Sequence, residues 1–219
     1  MTATDPIAVA PTVQVAAEVL ERSYPGARAA LKRDILLSAL ACFNEHGLEP
    51  TTIDMIRARC GTSVGNIYHH FGNKEGVVAA LFFCALDDLA RLREAYLATA
   101  GSAREGIAAL VQSYVDWVTR QPDLARFQYQ ARSVVATGPQ AEALTERNRQ
   151  RNGHLKGWLA DPERRKAFRP WPPELFLSLI VGPAESYCRA WLAGRVSTPP
   201  GEYREELAEA VWMSVAAPV

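Results

Sequence analysis

Between Gly61 and Glu75 the chain reads GTSVGNIYHHFGNKE, a mixture that a helix built only for burial has no use for. On a helical wheel at about 100° per residue, Ile67 marks an inward face, with Ser63 and Phe71 beside it. Thr62, Gly65, Asn66, Tyr68 and His69 then point away, and Val64 and His70 lie on the flanks. That outward face suits double-stranded DNA. Gly65 has no side chain, so the backbone can approach a base edge or a phosphate. Val64 offers an apolar contact for a thymine methyl, and Asn66 can pair with adenine. Tyr68, His69 and His70 can donate to phosphate oxygens, and Lys74, at the start of the next helix, brings an ammonium beside free backbone N–H groups. Metal ligation by the paired histidines fits poorly. Adjacent helical residues project about 100° apart, and no other Cys or His completes a ligand spacing.

Such a face needs elements to hold it. Upstream, Leu31, Ile35, Ala39 and Phe43 recur every four residues, with Leu36 and Leu40 beside them, which predicts an amphipathic helix from about Arg28. Gly47 suits a left-handed cap at its end. Arg28, Lys32 and Arg33 sit at the end where the helix dipole disfavours them, so they are expected to face an outside anion. In TTIDMIRARC, Thr51 with Asp54 resembles a capping box, and Thr52 lies at the same helix start, where it can meet phosphate. Gly61 ends this helix and Thr62 or Ser63 caps the following one. Two short helices joined across a glycine form a helix-turn-helix pattern.

Further helices are expected at Asn73 to Ala98, Ala103 to Arg120, Pro122 to Ala136, Pro139 to Leu159, Pro173 to Leu192 and Glu202 to Ser214. Pro183 lies inside one of them and should kink it. Asp161 to Pro173 reads as a basic surface loop. No segment alternates with strand period, so the fold class is all-α.

The chain has 219 residues, 48% of them hydrophobic, and a formal net charge of +0. A sizeable core is available, and any basic footprint must be local, as in Ile56 to Lys74, where Arg57, Arg59 and Lys74 occur without an acid. The four cysteines, Cys42, Cys60, Cys84 and Cys188, show no paired spacing and read as reduced thiols. No apolar run has membrane-spanning length, and the start lacks the pattern of a signal peptide. A cytoplasmic protein with no membrane partner is the expectation.

The string Gly61-Thr62-Ser63-x-Gly65-x-Ile67-Tyr68-x-His70-Phe71-x-x-Lys74-Glu75, preceded by Phe43-x-x-x-Gly47 and Thr51-Thr52-Ile53, resembles the helix-turn-helix signature of the TetR family of bacterial transcription regulators. The resemblance covers about Arg28 to Leu81. It implies a three-helix DNA-binding domain at 28–74 and a helical ligand-binding and dimerisation domain at 75–219. Residues 1–27, dominated at first by alanine, threonine and proline, read instead as a flexible arm that a minimal member lacks, in which Val13 to Leu20 could form a short helix. The resemblance assigns base contacts to Val64 and Gly65, and phosphate or mixed contacts to Thr52, Ser63, Tyr68, His69, His70 and Lys74, with Asn66 on the same face. The implied partners are a palindromic operator, a small-molecule inducer that relieves repression, and a second copy of the chain. No cofactor is implied.

The family's last two helices pair in a dimer, which points to Leu175, Leu179, Tyr187 and Trp191 in the first and Leu207, Val211 and Val215 in the second, with filling of the monomer core as the competing account of each. Tyr114, Trp117, Phe127, Tyr129, Trp158 and Phe176 are candidates to line an inducer pocket; ordinary core packing is the competing account of each. Two other functions compete with the regulator. An enzyme would hide here without any G-x-S-x-G, phosphate loop, H-E-x-x-H or dinucleotide fingerprint. A helical scaffold that no longer reads DNA would match the neutral net charge.

Overall fold

A computed structural model describes residues 11–218 of the chain, and these residues are helical nearly throughout. Twelve α-helices follow in order: α1 Pro11–Ser23, α2 Ala30–His46, α3 Ile53–Cys60, α4 Val64–Phe71, α5 Lys74–Leu97, α6 Ala103–Arg120, α7 Pro122–Thr137, α8 Ala141–Arg151, α9 Gly153–Ala160, α10 Pro162–Arg165, α11 Pro173–Leu192 and α12 Arg204–Val215. The extended pairing among the described residues is one isolated antiparallel bridge, Phe168 to Ala216. No described helix is long and apolar enough to cross a membrane.

The periodic residues of α2 do what their spacing predicts: Ile35, Leu36, Ala39, Leu40 and Phe43 are buried. They meet Ile56 of α3 and Ile67 of α4 in one continuous core. The helix α5 carries this core onward. Its 24 residues span about 36 Å at 1.5 Å per residue. Val77, Leu81, Phe82 and Ala85 are buried along it, and α4, α2, α6 and α7 all pack on it. Farther along the chain, α6 lies against both α11 and α12. A stacked pair, Phe43 of α2 and Phe127 of α7 with centroids 5.5 Å apart, ties the first helices to the later bundle. Asn44 reinforces it by donating to the Asp123 carbonyl at 3.1 Å.

Several expectations are corrected here. Within the segment expected as a flexible arm, the short helix open to Val13 to Leu20 is present as the longer α1, which buries Ala16, Val19 and Leu20. Its apolar face is short but continuous, and it lies across α2, α5 and α7. Residues 1–10 lie outside the described part. The segment expected as one helix from Pro139 to Leu159 divides at Asn152 into α8 and α9. The basic loop from Asp161 contains a short turn of helix, α10, whose cap is the Asp161 carboxylate. Gly47 has the positive φ foreseen, 86°, but its ψ of 168° is extended rather than left-handed helical. Arg33, expected to await an external anion, donates to the carbonyls of Tyr24 and Gly26 and pairs with Glu21 at 2.8 Å. The α1–α2 turn supplies these partners.

Candidate nucleic-acid interface

The cap of α3 is Thr52, not Thr51. The Thr52 hydroxyl accepts from the Met55 N–H at 3.2 Å, while Thr51 is buried and donates toward the Cys42 and Gly47 carbonyls. Gly61 then turns the chain with φ 70° and ψ 18°, a left-handed cap that glycine adopts without strain. Ser63 caps α4 by accepting from the Asn66 N–H at 3.2 Å. Thr52 and Ser63 each satisfy an orphan N–H, and Gly61 donates to the Arg57 carbonyl, so these short helices do not depend on length alone.

The orientation of α4 agrees with the wheel from Val64 onward, whereas Ser63, expected inward, is exposed at the cap and Thr62, expected outward, is half-buried. Ile67 is fully buried, whereas Gly65, Asn66, Tyr68 and His69 are exposed and Val64 and His70 are half-buried. Tyr68 is 50% exposed, a large apolar ring left in solvent by the protein's own packing. A methyl group built on Gly65 would meet only the Ser63 Oγ, at 3.8 Å. Nothing inside the protein therefore requires glycine there. Gly76 is the opposite case: a methyl there would stand 1.9 Å from the Phe71 carbonyl oxygen, so this glycine lets α4 close onto α5. Sequence reasoning passed over Gly76, which carries no chemistry of its own. Asn66 donates to the Thr62 hydroxyl at 3.0 Å, which orients its amide along the exposed face.

The charges differ from expectation. Lys74 Nζ donates to the carbonyls of Leu48, Glu49 and Thr51 at 2.8, 3.0 and 2.9 Å. An ammonium has three N–H donors, so all three are engaged and the side chain is not free for phosphate. It clamps the α2–α3 loop onto the start of α5. Arg59 is held by a fork of two bonds to Glu45 at 2.6 and 2.7 Å, which lowers the Glu45 pKa. Arg57 lies 3.4 Å from Asp54. Burial, with His69 and Lys32 beside it, holds His70 below the usual imidazole range. At neutral pH it is then an uncharged ring offering one N–H. The exposed face of α4 therefore carries neutral donors rather than free cations.

The later residues sort into core and surface. Trp117 and Phe127 are buried. Trp117 donates its indole N–H to Asp88 at 3.1 Å, and Phe127 stacks on Phe43. Trp158 packs its ring against Gly106, where a methyl would overlap it at 1.9 Å, and Phe176 meets Phe168 edge-on at 5.1 Å. Tyr114 and Tyr129 are half-buried and share a hydroxyl–hydroxyl hydrogen bond. Burial raises the pKa of both, Tyr129 to about 12. Val211 is fully buried inside the monomer and cannot serve an interface, while Tyr187 packs on Tyr203 and donates to the Thr198 carbonyl at 3.1 Å. Leu179, Trp191 and Leu207 are half-buried, and Leu175 is 40% exposed. On α11 and α12, the exposed large apolar side chains the sequence did not single out are Leu177, Val181 and Met213.

The geometry defines an all-α protein with an N-terminal helix-turn-helix and a helical domain after it. Residues 35–81 match the family model for bacterial regulatory proteins of the tetR family. Over 63 residues the chain is 43% identical to the transcriptional repressor AcnR of Corynebacterium glutamicum, a match covering 29% of this chain and 32% of that protein. The fold extends further than the sequence match. A TetR family regulator from Marinobacter aquaeolei VT8 superimposes with a TM-score of 0.74 at 20% identity, covering 87% of this chain and 98% of that one. The ketosteroid regulator KstR2 of Mycobacterium tuberculosis gives 0.68 at 22% identity, covering 88% and 97%. Residues 35–81 thus resemble the DNA-binding part of tetR family regulators, and the described residues share the fold of solved members of that family.

Proposed function

We propose that the protein is a dimeric, sequence-specific DNA-binding repressor released by a small molecule. The observation that carries this reading is the outward face of α4, where Gly65 has no internal reason to be glycine and Tyr68 is left exposed beside Asn66 and His69. In the major groove, the bare backbone at Gly65 and the Val64 side chain approach base edges, and Thr52, Ser63, Tyr68, His69 and His70 donate to phosphates. Lys74 contributes by holding the loop that presents Thr52. The reading unit is residues 28–74, braced by α1, and the regulatory part is 75–219.

Two copies would join through the exposed apolar side chains of α11 and α12, chiefly Leu175, Leu177, Val181 and Met213. Their reading helices would then meet successive major grooves of a palindromic site about 34–36 Å apart, or somewhat more. An inducer in the later bundle would act through α5 and the Phe43–Phe127 contact, favouring a spacing that fits DNA less well. The half-buried Tyr114–Tyr129 pair is the part of the expected pocket that this reading keeps.

A gel shift of the full chain against the DNA upstream of its own coding region tests the proposal. Sequence-specific retardation that weakens steeply with salt is the expected result. Equal binding to any duplex, or none, would remove it in favour of a helical scaffold.

A further inference from the structure

A second cluster of chemistry lies away from the α4 face, where α1, α5 and α8 converge. Two clefts adjoin there, of about 370 and 470 Å³, and both are lined by Asp87 and Arg147. The first also has Arg22, Tyr24 and Arg91 in its wall, and the second has Arg151.

The arginines outnumber the carboxylates that face them. Arg22 and Arg91 share one carboxylate, Asp88, at 2.8 and 2.9 Å. Arg147 and Arg151 share another, Asp87, at 3.2 and 2.9 Å. The neighbouring Arg93 donates only to neutral oxygens, the Asn152 side chain at 3.0 Å and the Arg151 carbonyl at 2.6 Å, with Glu94 nearby. Glu146, in the second cleft, is already held by a fork from Arg149 at 2.9 Å.

Arg151 is the least satisfied of the set. Its side chain is only 11% exposed. Its Nε lies near Asp87 but out of line for a hydrogen bond, and its buried Nε and Nη2 find no hydrogen-bond partner among the described residues. Loss of water, with Arg147 and Arg93 close by, lowers its pKa. A buried guanidinium left short of acceptors is costly, and an arriving anion would relieve that cost. Each shared carboxylate leaves about one positive charge uncompensated, so a group with two negative charges matches the site better than a lone carboxylate. The planar donor fork of arginine fits phosphoryl oxygens.

We propose that these joined clefts bind a small molecule through a phosphate or diphosphate group, gripped by Arg147 and Arg151 with the partly exposed Arg22 and Arg91 at the mouth. The site is separate from the DNA-reading face and from the Tyr114–Tyr129 region. Because α1 forms one wall, occupancy would also fasten that helix to α5.

Calorimetric titration of the full chain at constant ionic strength tests this, with inorganic phosphate, pyrophosphate, ADP and citrate as probes. The expected result is saturable binding of pyrophosphate or ADP, weakened about tenfold or more by Arg151→Gln and unaffected by Lys166→Gln. If Arg151→Gln fails to fold, Arg147→Gln, at a more exposed position, supplies the same comparison. Tighter binding of ADP than of pyrophosphate would mark an organic phosphate as the ligand, and equal binding an inorganic one. No saturable heat at millimolar concentration, citrate binding as tightly as pyrophosphate, or arginine variants that bind like the parent would each overturn the proposal.

Discussion

Gly65 and Lys74 show how differently two residues of one motif are used. Gly65 is open on the protein side, so its smallness matters only to something outside the molecule. Gly65→Ala should leave folding intact or stabilise the helix by up to about 1 kcal/mol, yet weaken DNA binding; melting and binding measured on the same samples separate the two effects. Lys74 shows the reverse, because its ammonium is engaged by three carbonyls of the chain itself. Lys74→Ala should lower the melting temperature and weaken all operators alike, while the slope of log affinity against log salt stays as in the parent. A direct phosphate contact would instead reduce that slope by about 1 at unchanged melting temperature.

The short helices depend on their caps. Ser63→Ala removes the acceptor for the Asn66 N–H and should cost about 1 kcal/mol, seen as a lower melting temperature together with weaker DNA binding. Much at this scale was legible from the sequence. The periodicity of α2, the glycine turn at Gly61 and the inward Ile67 follow from local pattern, and local pattern is what short helices obey. What was hidden depended on distant partners. The engagement of Lys74 depends on a loop some 25 residues earlier in the chain. The burial of Trp117 and Phe127 depends on Asp88 and Phe43, which no spacing rule connects to them. A short helix at Val13 to Leu20 was open from the sequence, but its docking depends on the apolar surface that later elements give Ala16, Val19 and Leu20.

For the whole molecule, α5 and the Phe43–Phe127 stack join the reading helices to the rest of the bundle. Phe127→Ala should destabilise the fold by about 3–5 kcal/mol, measurable by denaturant unfolding. The exposed Leu177, Val181 and Met213 belong to the proposed contact between copies. Val181→Glu should shift light scattering toward the monomer and weaken operator binding, without altering the circular dichroism of the chain. A Val181→Glu protein that stays dimeric would move the interface elsewhere.

The central claim is that α4 reads DNA sequence through the face around Gly65. The most direct test is selection of bound duplexes from a randomised pool by the purified full chain, run beside Gly65→Leu. This account predicts that the parent enriches a two-fold-symmetric sequence and that Gly65→Leu, though folded, enriches nothing. A parent that enriches no sequence, or a Gly65→Leu chain that selects the same one, would contradict it.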